Sequence, residues 1–292
     1  MNSERRGVLA LLGGLVLGRP SVGKAASNVP AVAQSRSEYK PRHVLCFLGP
    51  ENGLAALRQS ARAAIDKFAG DFSLDEDYSQ DEPDDRMERS FNVCWDRVEP
   101  DAYQESDEEA VAGHGSVLYV LGPSMAAETA VATCGKALMF VHHMLDSGAV
   151  AVKGESAGVA HGVQRWKELF EQSRRNATAN DALAFARTCR LAFARRPIGG
   201  DADGMGSVGF HLVGLPDVEI HFTRKDQQQP STNSEQLKIA ALIDDIADQM
   251  TRDGVEAAVK DRRADLSDDT RYEEDEYKFN PFGVATIRDH KL

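Results

Sequence analysis

Basic residues, clustered cysteines and long hydrophobic runs are all scarce in this chain, and each shortage removes a class of protein. The 34 lysines and arginines are outnumbered by 46 aspartates and glutamates, a formal charge of -12. A field of that sign repels phosphate backbones and anionic lipid head groups within a Debye length, which argues against nucleic acid and membrane surfaces as partners. A basic protein, a cation or a neutral small molecule is compatible with that charge as a partner, and the commoner use of such acidity is plain solubility. The four cysteines, Cys46, Cys94, Cys134 and Cys189, stand far apart among apolar neighbours and form no close pair of the kind metal sites and redox dithiols need. They read as buried thiols; the sharper alternative is a Cys46–Cys94 disulfide, since both fall in expected strands. No staple is required, because 292 residues at 42% hydrophobic content are enough to bury a core.

Residues 1–25 divide into a polar start with Arg5 and Arg6, an apolar stretch from Gly7 to Gly18 and a small-residue end at Ala25, the three-part layout of a signal peptide. The apolar stretch is shorter than the ~20 residues that span a bilayer, so no stable membrane span is expected. The arginine pair and the basic Arg19 and Lys24 resemble a bacterial twin-arginine signal, which implies export to the periplasm or beyond. The alternative is a translation start near Tyr39 and a cytoplasmic protein. Residues 26–41, rich in Ala, Ser, Pro and Val without a period, read as a flexible linker.

From Arg42 the pattern becomes compact. His43 to Leu48 is an apolar run closed by Gly49-Pro50, as in a buried strand. Leu54, Leu57, Ala61, Ile65 and Phe68 recur at helical spacing up to Gly70. Ser90 to Val98 alternates like a half-buried strand, and Ser116 to Leu121 is a more apolar one. A long helix runs from Pro123-Ser124 to Gly148, and Ala149 to Lys153 returns as a strand. Residues 42–153 therefore read β-α-β-β-α-β, the order of a ferredoxin-like α+β sandwich with two helices on one face of an antiparallel sheet.

Further on, the pattern predicts a short helix at Gln164 to Phe170, a strand at Thr188 to Ala194, a glycine loop at 199–206 and strands at Val208 to Val213 and Val218 to Phe222. A capping box at Thr232 and Glu235 opens a helix that ends at Gly254. Residues 42–265 read as one domain and 266–292 as an acidic surface tail.

The run from Val117 to Leu121, the Ala149 to Val152 strand with Trp166 after it, and the segment Gly214-Leu215-Pro216-Asp217-Val218-Glu219 resemble a bacterial family known as a domain of unknown function. That resemblance spans most of residues 42–255. It implies no established reaction, cofactor or catalytic residue, and a setting in bacterial competition and immunity.

The sharpest chemical motif is Gly154-Glu155-Ser156-Ala157-Gly158, which matches G-x-S-x-G and follows an expected strand. As a nucleophile elbow it would expose the Ser156 hydroxyl to a histidine held by an acid, and the downstream choices are His221 with Glu219 or Asp217, or the distant His290. No His-Gly-Gly oxyanion segment precedes it, and the plainer reading makes Ser156 a turn or capping residue. His142, His143, Glu155 and His161 lack metal-ligand spacing, since adjacent helical histidines diverge. Asp75, Asp77, Ser79 and Asp81 alternate like the start of a calcium loop, but Gln80 and Arg86 stand where the turn glycine and the bidentate glutamate belong. The 71–85 segment reads as a solvated loop, with Asp75, Glu76, Asp77, Asp81 and Glu82 as candidates for docking a basic partner. The favoured function is a non-catalytic binding or neutralising protein of the immunity type, without cofactor or metal. The alternative is a serine hydrolase or esterase working through Ser156.

Overall fold

A computed structural model describes residues 41–197, 204–223 and 233–291. The leader, all but the last linker residue, part of the glycine loop and Thr232 lie outside them.

The first strand, β1 (Val44–Gly49), is buried along its whole length because both faces of its sheet are covered. It pairs antiparallel with β3 (Ser116–Leu121) on one side and β4 (Ala151–Gly154) on the other. With β2 (Ser73–Gln80) and β5 (Val159–His161) at the two edges, the sheet runs β2-β3-β1-β4-β5 and every adjacent pair is antiparallel. The first four of these strands have the ferredoxin-like order, connected by α1 (Leu54–Lys67) and α4 (Ala127–Asp146). Both helices lie on one face. Leu57, Ala61, Cys134, Leu138 and Val141 meet Leu45, Phe47, Leu118, Val120 and Val152 there in one core. The opposite residues of the same strands, Cys46, Leu48, Val117 and Ala151, are covered by Met87, Phe91 and Cys94 of α2 (Met87–Cys94), by Trp95 and by Val111 of α3 (Glu105–Ala112).

The second strand of the sandwich is therefore not where its alternation predicted. Residues 90–94 end a helix, because Met87, Phe91 and Cys94 repeat at helical steps and bury one stripe; Trp95 alone makes a β-bridge, to Ala160. The strand is the acidic segment Ser73–Gln80, read from the sequence as a loop. An edge strand with one solvated face tolerates that composition, and a bulge between Asp75 and Gln80 twists it.

Downstream, α5 (Val163–Thr178) is longer than predicted, and α6 (Ala182–Phe193) replaces the strand expected at Thr188 to Ala194. Arg190 misled the alternation because it is buried: its guanidinium binds Asp244 and Asp248. A second sheet, β6-β7-β9-β8, contains β6 (Gly204–Gly206), β7 (Asp217–Thr223), β8 (Asp265–Ser267) and β9 (Val284–Lys291). Its neighbours are α7 (Asn233–Asp253) and α8 (Val255–Arg262), and α7 packs on β7 and α6. The segment after Asp265 is thus no surface appendage. It supplies two strands, β9 lies parallel to β7 inside the sheet, and Val284 and Ala285 are buried. Nor is Val208 to Val213 a strand; Val208 bridges Arg195 and Phe210–Val213 is a 3-10 turn between two left-handed glycines. All four cysteines are buried and free, so Cys46 and Cys94 share a core without a disulfide.

Candidate functional site

The G-x-S-x-G segment closes the β4–β5 hairpin and leads into a strand, so the strand-to-helix junction of an elbow is missing. Ser156 is buried; its Oγ donates to the Arg42 carbonyl at 2.7 Å and accepts the Val44 N–H at 2.9 Å. Both roles of the hydroxyl are taken by backbone that fixes the entry to β1. Gly158 has φ +66°, which accounts for the second motif glycine. His221 and Glu219 pair with each other at 3.4 Å on β7, partly exposed, and no hydrogen bond or ion pair links either to Ser156. Asp217 is buried and accepts from Ser207, Phe210, Arg271 and Asn280. His290 lies on β9, its backbone opposite Phe222.

The histidines considered as ligands are separated by their contacts. His142 stacks on Phe170, His143 meets the Ser60 carbonyl, and His161 meets the Ala192 carbonyl. Among the described residues no group of three His, Cys, Asp or Glu side chains is arranged to hold a metal.

What the structure does assemble is a cavity of about 360 Å³ on the second face of the sheet. Helices α2 and α3 cover the end of that face around Leu48 and Val117 and leave the end around Val44, Tyr119 and Leu121, which the cavity occupies. One row of cross-strand partners, Asp75, Tyr119, Cys46 and Lys153, runs beneath it. Arg86, Met87 and Ser90 close it from the α2 side, and residues 275–278 close it from the distant loop before β9.

Lys153 is 1% exposed, and its ammonium donates to Ser90 Oγ at 2.5 Å and Glu155 Oε1 at 2.8 Å and lies 5.3 Å from the Phe91 ring centroid. Burial is the largest single influence and would lower its pKa, but Glu155 first, together with Cys46 and Cys94, outweighs it and holds the pKa above the usual lysine value. Tyr119 donates to the same Glu155 oxygen at 3.4 Å, and burial, reinforced by Cys46 and Glu155, raises its pKa. Burial pushes the Cys46 thiol up to about 12 against the opposing pull of Lys153. At neutral pH the floor therefore holds a protonated lysine, phenol and thiol. None of the three is a base or an activated nucleophile, and the arrangement suits binding better than proton transfer.

Four of the five acidic docking candidates divide between two jobs. Asp75 and Asp77 line the cavity. Glu76 faces α1 and pairs with Arg58 at 2.7 Å and Arg62 at 3.3 Å, while Asp81 accepts the Leu54 N–H at 3.1 Å at the start of that helix. Glu82 is exposed and offers its carbonyl to Gln80. The residues that sequence reasoning missed are Lys153, Glu155 in this role, Tyr119, Asp275 and Glu276. One signal for them was present: a lysine two places before a glutamate, at the end of an otherwise apolar strand, puts opposite charges on the same face.

Comparison with protein families, curated proteins and solved structures gives no match. Fold and site are therefore read from this chain's own geometry: an α+β protein whose ferredoxin-like sheet, extended by further strands, carries a charged cavity on the face away from α1 and α4. Among the described residues no helix is long and apolar enough to cross a membrane.

Proposed function

We propose that the chain is a non-catalytic binding protein, of the neutralising type, that docks a basic protein partner at the mouth of this cavity. One observation carries the reading. Acidic residues from segments some two hundred positions apart, Asp75 and Asp77 on β2 and Asp275 and Glu276 before β9, line a single opening. Charge gathered that way by the fold, and not by sequence proximity, complements a cationic surface and speeds encounter with it. The export leader read in residues 1–25 would put the encounter in the bacterial envelope. The hydrolase alternative gains nothing from the geometry, since the Ser156 hydroxyl is committed to the backbone at residues 42 and 44.

The test is capture of partners from a cell-envelope extract on the immobilised chain, followed by a salt gradient. A retained basic protein should elute steeply with rising salt and be lost when Asp275→Lys reverses one rim charge. Retention indifferent to both salt and Asp275→Lys would refute the proposal.

A further inference from the structure

We infer that the cavity is a socket for one arginine side chain of the basic partner, with Glu155 as its anchor. This rests on the docking reading above and adds to it the group that enters. Glu155 Oε1 takes both Lys153 and Tyr119, and among the described residues Oε2 accepts no hydrogen bond, on a side chain that is 25% exposed. The carboxylate is held from behind by a buried cation, so it meets an incoming donor without first being ordered, and preorganisation of that kind favours binding.

The surroundings select the donor. Of the three basic side chains that line the cavity, Lys153 is balanced by Glu155 and Arg86 by Asp84 at 2.6 Å, and the third, Lys278, stands beside the acidic pair Asp275 and Glu276, which outnumbers it. Tyr78 and Tyr119 line the same space, their ring centroids 6.3 Å apart and edge to face. A guanidinium is flat, weakly hydrated and stacks on such rings, and its five N–H donors can engage Glu155 and a rim carboxylate at once. An ammonium offers a compact, strongly hydrated point charge that gains less from aromatic walls. The cavity volume of about 360 Å³ falls in the range that admits a small ligand or an inserted side chain.

Fluorescence anisotropy on the full chain tests this with two labelled peptides of equal length and charge, alternating Gly-Arg and alternating Gly-Lys. The arginine peptide should bind several-fold tighter. Glu155→Asp keeps a charge opposite Lys153 while withdrawing the carboxylate by one methylene, and it should weaken the arginine peptide about tenfold, the effect of one hydrogen bond to a charged group, and the lysine peptide less than about twofold. The comparison of peptides on the unaltered chain stands even if that variant folds poorly. Equal affinity for both peptides, with Asp275→Lys weakening both, would remove the socket and leave the docking surface. Failure of both peptides to bind at low salt would remove the socket and the docking surface together.

Discussion

At the scale of single residues, the same few side chains separate scaffold from site. Ser156 has the neighbours of a motif nucleophile and the bonds of a brace. Truncation to alanine leaves the Val44 N–H and the Arg42 carbonyl without their partner in a buried setting, which costs about 1–3 kcal/mol. The expected outcome for Ser156→Ala is a lower denaturant midpoint with an unchanged slope, and no difference in labelling by a fluorophosphonate probe. A labelled band present in the wild type and absent in the variant would restore the esterase reading. Lys153 is the opposite case: it carries no motif, yet it fixes the carboxylate on which the binding proposal turns. Its charge was visible in the sequence, but its burial was not, because only the packing of α2 across the sheet encloses the ammonium.

At the scale of elements, long stretches of one period were legible and short ones were not. The first strand, both sandwich helices and the α7 helix follow from periodicity, since each buries one stripe or both faces over many residues. The errors share a cause: in α2 and α6 a few large apolar residues fit either period, and in β2 the apolar face is almost absent because a bulged edge strand needs little of it. The Gly-Leu-Pro-acid segment misled differently. It lies between the strands expected at Val208 to Val213 and Val218 to Phe222, but its glycine ends a 3-10 turn that docks on the start of α4. Gly214 has φ +76°, and a β-carbon there would lie 2.5 Å from the Ala127 carbonyl oxygen. Gly214→Ala should therefore destabilise the protein by about 1–2 kcal/mol from the left-handed backbone alone, and further through that clash. Gly70→Ala is the control, because its β-carbon would find nothing closer than 3.8 Å. Equal thermal midpoints for the two variants would show that the Ala127 contact does not constrain the fold.

At the scale of the whole molecule, the two sheets are joined by buried charge and by buried neutral histidines, and the histidines make the assembly sensitive to acid. Arg196 ties Asp96 and Glu99, beyond α2, to Asp244 on α7, and Arg190 binds Asp244 and Asp248 from α6. His43, beside β1, is held at a pKa of about 3, by burial first and by His211 second. Burial likewise lowers His161 and His211 to about 4, with Asp96 opposing it for the former and Asp217 for the latter. In each case the folded pKa lies below the ordinary 6.5, so between the two values the unfolded chain binds the proton and the folded chain does not. The contribution to stability is complete above pH 6.5 and falls as the pH drops toward 4, by up to about 1.4 kcal/mol per pH unit for each histidine. Urea denaturation at pH 7.5, 6 and 5 should therefore give a steadily lower midpoint. His43→Phe, which keeps an aromatic ring against Phe193, should flatten that decline. A midpoint unchanged between pH 7.5 and 5 would mean that these histidines are reached by protons in the folded state, and the packing of the 3-10 turn against β1 would then be looser than the burial of His43 and His211 requires.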